Sequence, residues 1–350
     1  MVPHIVVVGE ALIDVLPPAP TVPPSLAESP SLAESPSSVK SPSFVESLAD
    51  GLGSVPATPQ QPAPVEVAGG SPANVAIALG RLGRHPTLVT TFADDARGQL
   101  IRSWLQASGV DVIATAPANG RTSTATVTLD AAGVASYDFD LTWDVTPDVL
   151  AAAASACDVL HVGSIATVLP PGAAAVADAM AAVRKRGGLV TFDPNARPAI
   201  TPNAAATRLA VEKLVAASDV VKVSDEDLAW YYPDVPVLEV AQQWARLGAQ
   251  LVVVTLGSQG ALAVPAGRVD ATEAITVPGV KIDLVDTVGA GDTFMGALID
   301  ALITGGTTPQ NLATMPADNL ARILTYCAQA AAITCSRPGA DPPTCAELSR

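Results

Sequence analysis

Toward the end of the chain, the segment VDTVGAGDTFMGALIDALI (285–303) places Gly289, Ala290 and Gly291 directly before a carboxylate, Asp292. From Phe294 to Ile303 only Gly296 and Asp300 interrupt an apolar run, which predicts a helix buried on most sides. Backbone amides in the first turn of such a helix lack partners within it, and the helix dipole favours an anion in front of them. Glycine and alanine let a phosphate approach the backbone without a Cβ in the way. Asp292 in the same turn is placed to take a proton from an attacking hydroxyl. Phosphoryl transfer passes through a loose transition state, so a weak, well-positioned base suffices. Taken alone, the same residues describe equally well a carboxylate that caps a buried helix after a glycine turn.

A second stretch of similar character is AGGSPANVAIALGRLG (68–83). Gly69 and Gly70, a proline near the first helical turn and Asn74 facing the same end make another helix N-terminus suited to polar ligand groups. By itself it too reads as ordinary loop-to-helix capping.

Elements that must position these residues are visible in the hydrophobic pattern. Short β-branched runs, HIVVV (4–8), TLVTTF (87–92), VLHV (159–162), GLVTFD (188–193), DVVKV (219–223) and LVVVTL (251–256), alternate with helix-like stretches at 72–82, 98–108, 172–186, 204–217 and 240–247. Continuously apolar strands separated by helices predict a doubly wound α/β domain with a mostly parallel sheet covered on both faces. Residues 121–140 instead alternate polar and apolar positions around a turn signal at 130–133, which predicts an antiparallel hairpin outside the main sheet. Residues 17–64 carry SLAESP twice in tandem, are dense in Pro and Ser, and hold too few large apolar side chains for a core. They read as a disordered insertion; the other reading is a surface arm, helical near 44–48, that serves oligomerisation.

Hydrophobic residues make up 49% of the 350 and charged ones 15%, as in a compact enzyme. The net charge of −15 argues against nucleic acid and anionic membrane surfaces as partners. No run of 18 apolar residues predicts a membrane span, and the first strand meets Glu10 and Asp14 where a signal peptide would want a cleavage site, so a cytoplasmic location is expected. The four cysteines form no C-x-x-C pair and the three histidines are far apart, which predicts reduced thiols and no zinc site.

In order, VGEALID, GGSPANVAIALGRLG, FADDARGQLIRSWLQASGVD, DPNAR, KVSDED, VVTLGSQGA, DTVGAGDTF and CSRPGADPPT resemble the motifs of the ribokinase-like (PfkB) carbohydrate kinases, with GEALID and GGSPANVA most similar to the fructokinase branch. The resemblance spans nearly all the chain outside 17–64. It implies an ATP-dependent kinase for a sugar's primary alcohol, fructose foremost, with 2-keto-3-deoxygluconate kinase or ribokinase as alternatives and, from another class, a catalytically silent binding or scaffold protein. It also implies a small β lid over the sugar, formed by residues 10–16, 65–69 and 111–142, with the insertion projecting from its outer edge and a homodimer formed through it.

The resemblance carries the base onto Asp292, the anion hole onto Gly289, Ala290 and Gly291, and sugar contacts onto Asp14, Gly69, Gly70 and Asn74. Nucleotide contacts fall on Asn195, Lys222, Ser224, Thr255, Gly257 and Gly260, at the carboxyl ends of apolar strands where a parallel sheet presents its ligands. For Mg²⁺ the family's Asn and Glu are replaced by Ser224 and Asp227, with Glu226 beside them; the nucleotide phosphates would hold most of the ion. A monovalent cation such as K⁺ would sit on oxygens of Asp286, Val288, Thr334, Arg337 and Gly339. Tyr137, Phe139 and Trp143 are placed either to cover the sugar or to pack the lid or a dimer seam, and Arg121 is the one lid arginine available to a substrate carboxylate.

Overall fold

The computed structural model describes residues 3–17, 64–129 and 135–348. The tandem repeat, the 44–48 segment and the 130–133 turn lie outside them.

Thirteen strands form among the described residues: β1 (Ile5–Val8), β2 (Leu12–Leu16), β3 (Val65–Gly69), β4 (Thr87–Thr91), β5 (Asp111–Thr115), β6 (Thr124–Leu129), β7 (Ala135–Asp140), β8 (Val159–Gly163), β9 (Leu189–Asp193), β10 (Val220–Ser224), β11 (Leu251–Thr255), β12 (Ala261–Pro265) and β13 (Ile275–Val277). Helices are α1 (Ser71–Arg81), α2 (Ala96–Ala107), α3 (Pro147–Ala156), α4 (Gly172–Lys185), α5 (Ala204–Ala216), α6 (Asp225–Tyr231), α7 (Val237–Leu247), α8 (Ala290–Thr304), α9 (Pro309–Leu312), α10 (Ala317–Cys335) and α11 (Cys345–Leu348).

Nine strands make one sheet in the order β13-β12-β11-β10-β9-β8-β1-β4-β5, parallel except where β12 runs against both its neighbours. Alternate residues of each strand feed two cores. Ile5 and Val7 of β1 join the layer under α1, α8 and α10, while Val6 and Val8 join the layer that includes α3, α4 and α7. Burial on both faces is why these strands read as unbroken apolar runs. The chain leaves β1 toward β4 and β5 and later returns on the opposite side to β8, so the strand order switches direction at β1 and β8. In open α/β sheets it is outside the carboxyl ends of the strands at such a switch point that ligands bind.

The smaller sheet, in the order β3-β2-β6-β7, contains the hairpin that the alternating pattern predicts, with β6 and β7 antiparallel from Thr124↔Asp140 to Leu129↔Ala135. One boundary differs from expectation. Residues 111–115 were counted with the lid, yet β5 pairs in parallel with β4 over five residues at the edge of the large sheet. It follows α2 as the return of a β-α-β unit, and such crossovers stay within one sheet. Of the two readings left open for Trp143, packing is the one found: it is 2% exposed, and a Cβ on Gly172 would come within 2.5 Å of its ring, so it packs against the start of α4. Arg121 pairs with Asp140 at 3.0 Å on the surface of the small sheet. The side chain of Tyr137 lies outside the described residues.

Candidate active site

At the carboxyl edge of the large sheet, Gly289 takes a left-handed conformation (φ 75°) as the N-cap of α8. A Cβ there would lie 2.5 Å from that of Ala340, so both the backbone angle and the close approach of the 340 loop require glycine. The helix it starts is buried almost throughout, with Met295, Ala297, Leu298, Ile299 and Leu302 fully inside. Burial fixes the axis of α8, and the axis fixes where its first-turn amides and Asp292 stand.

Asp292 is 8% exposed. Its Oδ1 accepts from the Ser71 hydroxyl at 2.6 Å and its Oδ2 from the Asn74 amide at 2.8 Å. Asn74, expected beside a sugar, gives one of its two amide N–H groups to the carboxylate, while its Oδ1 has no partner among the described residues. The two motifs picked out in the sequence meet face to face, through side chains 218 and 221 residues apart.

Behind the first turn of α8 lies a buried ion pair. Lys222 on β10 reaches Asp193 at the end of β9 with Nζ 2.7 Å from Oδ2, and the two side chains are 5% and 1% exposed. Burial opposes the charge on Lys222, but Asp193 first, then Asp292 and Asp227, hold its pKa above the usual value. Burial pushes Asp193 up to about 6 against the pull of Lys222. A Cβ on Gly291 would stand 3.0 Å from Nζ, so the ammonium sits directly behind the glycine turn. Lys222, expected on the nucleotide side, is buried on the inward-facing side of β10.

The expected sugar-side residues come together at the base of the small sheet. A Cβ on Gly69 would lie 2.4 Å from Asp14 Oδ2, and one on Gly70 (φ 110°) 2.6 Å from the Glu10 carbonyl. Burial raises the Asp14 pKa, with the charge of Arg197 pulling the other way. Glu10, buried beside Gly9, is pushed up to about 7 by burial, opposed by Ser164 and Arg197. Ser164 and Asn195, at the ends of β8 and β9, both take positive φ, 54° and 41°. Such strained non-glycine backbone gathers at functional clefts.

On the other flank Asn195 Oδ1 accepts from Arg197 at 2.6 Å, and the Ser224 hydroxyl accepts from Asp227 N at 3.0 Å as the N-cap of α6. Ser224 is thus engaged in capping. Thr255 closes β11, and Gly257 (φ 53°) and Gly260 (φ 102°) shape the turn into β12. Gly260 has a structural demand of its own, since a Cβ would lie 2.1 Å from the Val277 carbonyl. In the first turn of α6, Glu226 is exposed, whereas Asp227 is half-buried, and burial raises its pKa against the pull of Lys222. No group of three or more His, Cys, Asp or Glu side chains among the described residues could hold a metal.

The loops expected to flank a monovalent cation are joined. Asp286 accepts from Val288 N at 3.0 Å and Gly339 N at 2.8 Å, bonds that hold its pKa down. Thr334 meets Thr293 of α8 at 2.9 Å, Arg337 N donates to the Thr334 carbonyl, and Gly339 turns with φ 69°.

Sequence reasoning missed Ser71, Asp193, Glu10 and Arg197. Ser71 stands three residues before Asn74, a spacing that puts both on one helix face. Asp193, which begins DPNAR, ends an apolar strand.

The pfkB family of carbohydrate kinases matches residues 44–346. The fructokinase of Rhizobium leguminosarum bv. trifolii is 35% identical over 67% of this chain and 71% of its own length, and fructokinase-1 of Zea mays is 32% identical over 83% and 89%. Among solved structures, the fructokinase of Xylella fastidiosa with bound ATP superposes with a TM-score of 0.77 at 24% identity, covering 100% of this chain and 98% of that one. The Vibrio cholerae fructokinase bound to fructose, ADP and calcium gives 0.73 at 23% identity, covering 99% and 98%. At these identities the structural likeness speaks for the fold, an α/β architecture with a smaller second sheet.

Proposed function

Because the chain belongs to the pfkB family of carbohydrate kinases, we propose that it transfers the γ-phosphoryl group of ATP to the primary hydroxyl of a hexose, D-fructose, to give fructose 6-phosphate. The observation that carries this reading is Asp292, a buried carboxylate in the first turn of α8, oriented by Ser71 and Asn74 and adjoining the Gly289–Ala290–Gly291 turn. The choice of fructose is supported by the relatives, which are fructokinases.

Asp292 takes the proton of the acceptor hydroxyl as its oxygen bonds to the γ-phosphorus. The bond from that phosphorus to the β–γ bridging oxygen breaks, and its electron pair leaves with ADP. Charge on the passing phosphoryl group meets the first-turn amides of α8, of which Ala290 N already donates to the Thr287 carbonyl at 3.2 Å, and the positive end of the helix dipole. Lys222 adds positive potential from behind the same turn. Asp14, Gly69 and Gly70 line the sugar side, with Arg197 close enough to act electrostatically on Asp14.

Asn195, Thr255 and Gly257 support a nucleotide site across the carboxyl ends of β9 and β11. Mg²⁺, when bound with the nucleotide, neutralises phosphate charge. Asp227, a hard oxygen donor turned toward the Lys222 cluster, suits it better than the outward Glu226. Oxygens around Asp286 and Gly339 suit a monovalent cation. Two copies pairing through the small sheet, where Leu16, Val65 and Val67 are exposed on the face that carries Asp14, and a cytoplasmic setting complete the proposal.

Coupled ADP-release measurements across fructose, ribose, 2-keto-3-deoxygluconate and adenosine, with and without K⁺, test it. Fructose should give the highest kcat/KM. Preference for another acceptor would overturn the substrate, and sugar binding without ADP release from any of them would overturn the activity.

A further inference from the structure

The two donors on Asp292 come from one turn of α1. Ser71 and Asn74, three residues apart, project from the same face, and each takes a different oxygen of the carboxylate. Their reach is set by unusually close helix packing. A Cβ on Gly296, one turn along α8 from Asp292, would lie 2.6 Å from the Ala78 Cβ and 3.3 Å from the Val75 carbonyl. At its other end α1 is seated on the end of β1, where a Cβ on Gly9 would lie 2.2 Å from the Pro72 ring. Ser71 is 6% exposed, so water has little access to replace its hydroxyl.

The rotation of a carboxylate about its terminal torsion is soft. One hydrogen bond from Asn74 leaves it so, whereas two bonds on different oxygens define its plane. A carboxylate offers about four lone-pair sites, so with one on each oxygen taken, one remains on each for an incoming hydroxyl.

We propose that Ser71 is a positioning residue for Asp292: together with Asn74 it fixes the carboxylate plane so that a remaining lone pair meets the acceptor hydroxyl. This rests on the reading of Asp292 as the base. Ser71 touches neither phosphate nor sugar in this role; it acts through the carboxylate.

A double-mutant cycle of Ser71→Ala and Asp292→Asn tests it, with ADP release measured using the acceptor sugar that turns over best. Ser71→Ala alone should lower kcat about 10- to 100-fold, the size of a lost hydrogen bond to a charged group. KM for ATP should stay within about two-fold of the parent. In the Asp292→Asn background the same change should alter the residual rate by less than about two-fold, because the group it serves is gone. Equal losses in both backgrounds, or a parental kcat for Ser71→Ala, would overturn the role of Ser71 while leaving Asp292 as base. Parental turnover in Asp292→Asn alone would overturn the base itself, and the proposal with it.

Discussion

Two carboxylates stand at the carboxyl edge of the same sheet under the same helices, and they are equipped differently. Asp193 is fully buried and paired with an ammonium, Lys222, at 2.7 Å. Asp292, at the mouth of α8, is met by a hydroxyl and an amide, both neutral. A buried cation makes its partner a fixed part of the framework, since separating the pair would leave an uncompensated charge. Neutral donors orient a carboxylate without supplying a counter-charge, and leave it free to act on what arrives in front. The same turn thus has an ion-paired, immobile back and a negative, addressable front, an arrangement that suits the proposed base and phosphoryl transfer.

The contrast breaks most readily at the front. Asp292→Asn should lower kcat about 10²- to 10⁴-fold, the usual worth of a general base, while isothermal titration still shows ATP binding. A turnover near the parent's would make Asp292 a cap after all. At the back the expected loss is in stability. Lys222→Met should cost about 3–5 kcal/mol in urea unfolding, because Asp193 is stranded, and the double change Asp193→Asn/Lys222→Met should recover most of it. A single change that costs less than about 1 kcal/mol would show that the pair does not act as a framework.

The smallest effect should come from the insertion. Leu16 and Val65 are antiparallel partners at the point where the chain leaves and re-enters the small sheet, so their backbones lie about 5 Å apart. Replacing residues 17–64 with an Asn-Gly turn should leave kcat/KM within a few-fold in the same assay. Loss of activity would tie the insertion to the site and end the reading of it as dispensable.

Much of this was legible in the residues. The strands of the large sheet announce themselves because they are buried on both faces, so every position is apolar. The GAGD turn and GGSPAN are legible because helix N-termini that receive anions or polar groups need small residues. The membership of residues 111–115 was not: DVIAT is an edge strand with mixed exposure, and its local pattern suits either sheet. The role of Trp143 stayed open for a related reason, since an aromatic beside a lid looks alike whether it turns toward a ligand or toward Gly172.

The sequence by itself determined the alternation of strand and helix, the buried helix headed by a carboxylate, and the family, because these depend on local periodicity and on short runs of small residues. Tertiary structure alone decided which groups serve that carboxylate. Ser71 and Asn74 reach Asp292, and Lys222 reaches Asp193 behind it, only because Gly296 lets α1 and α8 touch and the parallel sheet sets β9 beside β10. Partners 29 to 221 residues apart are selected by packing, and no local pattern in the chain encodes that choice.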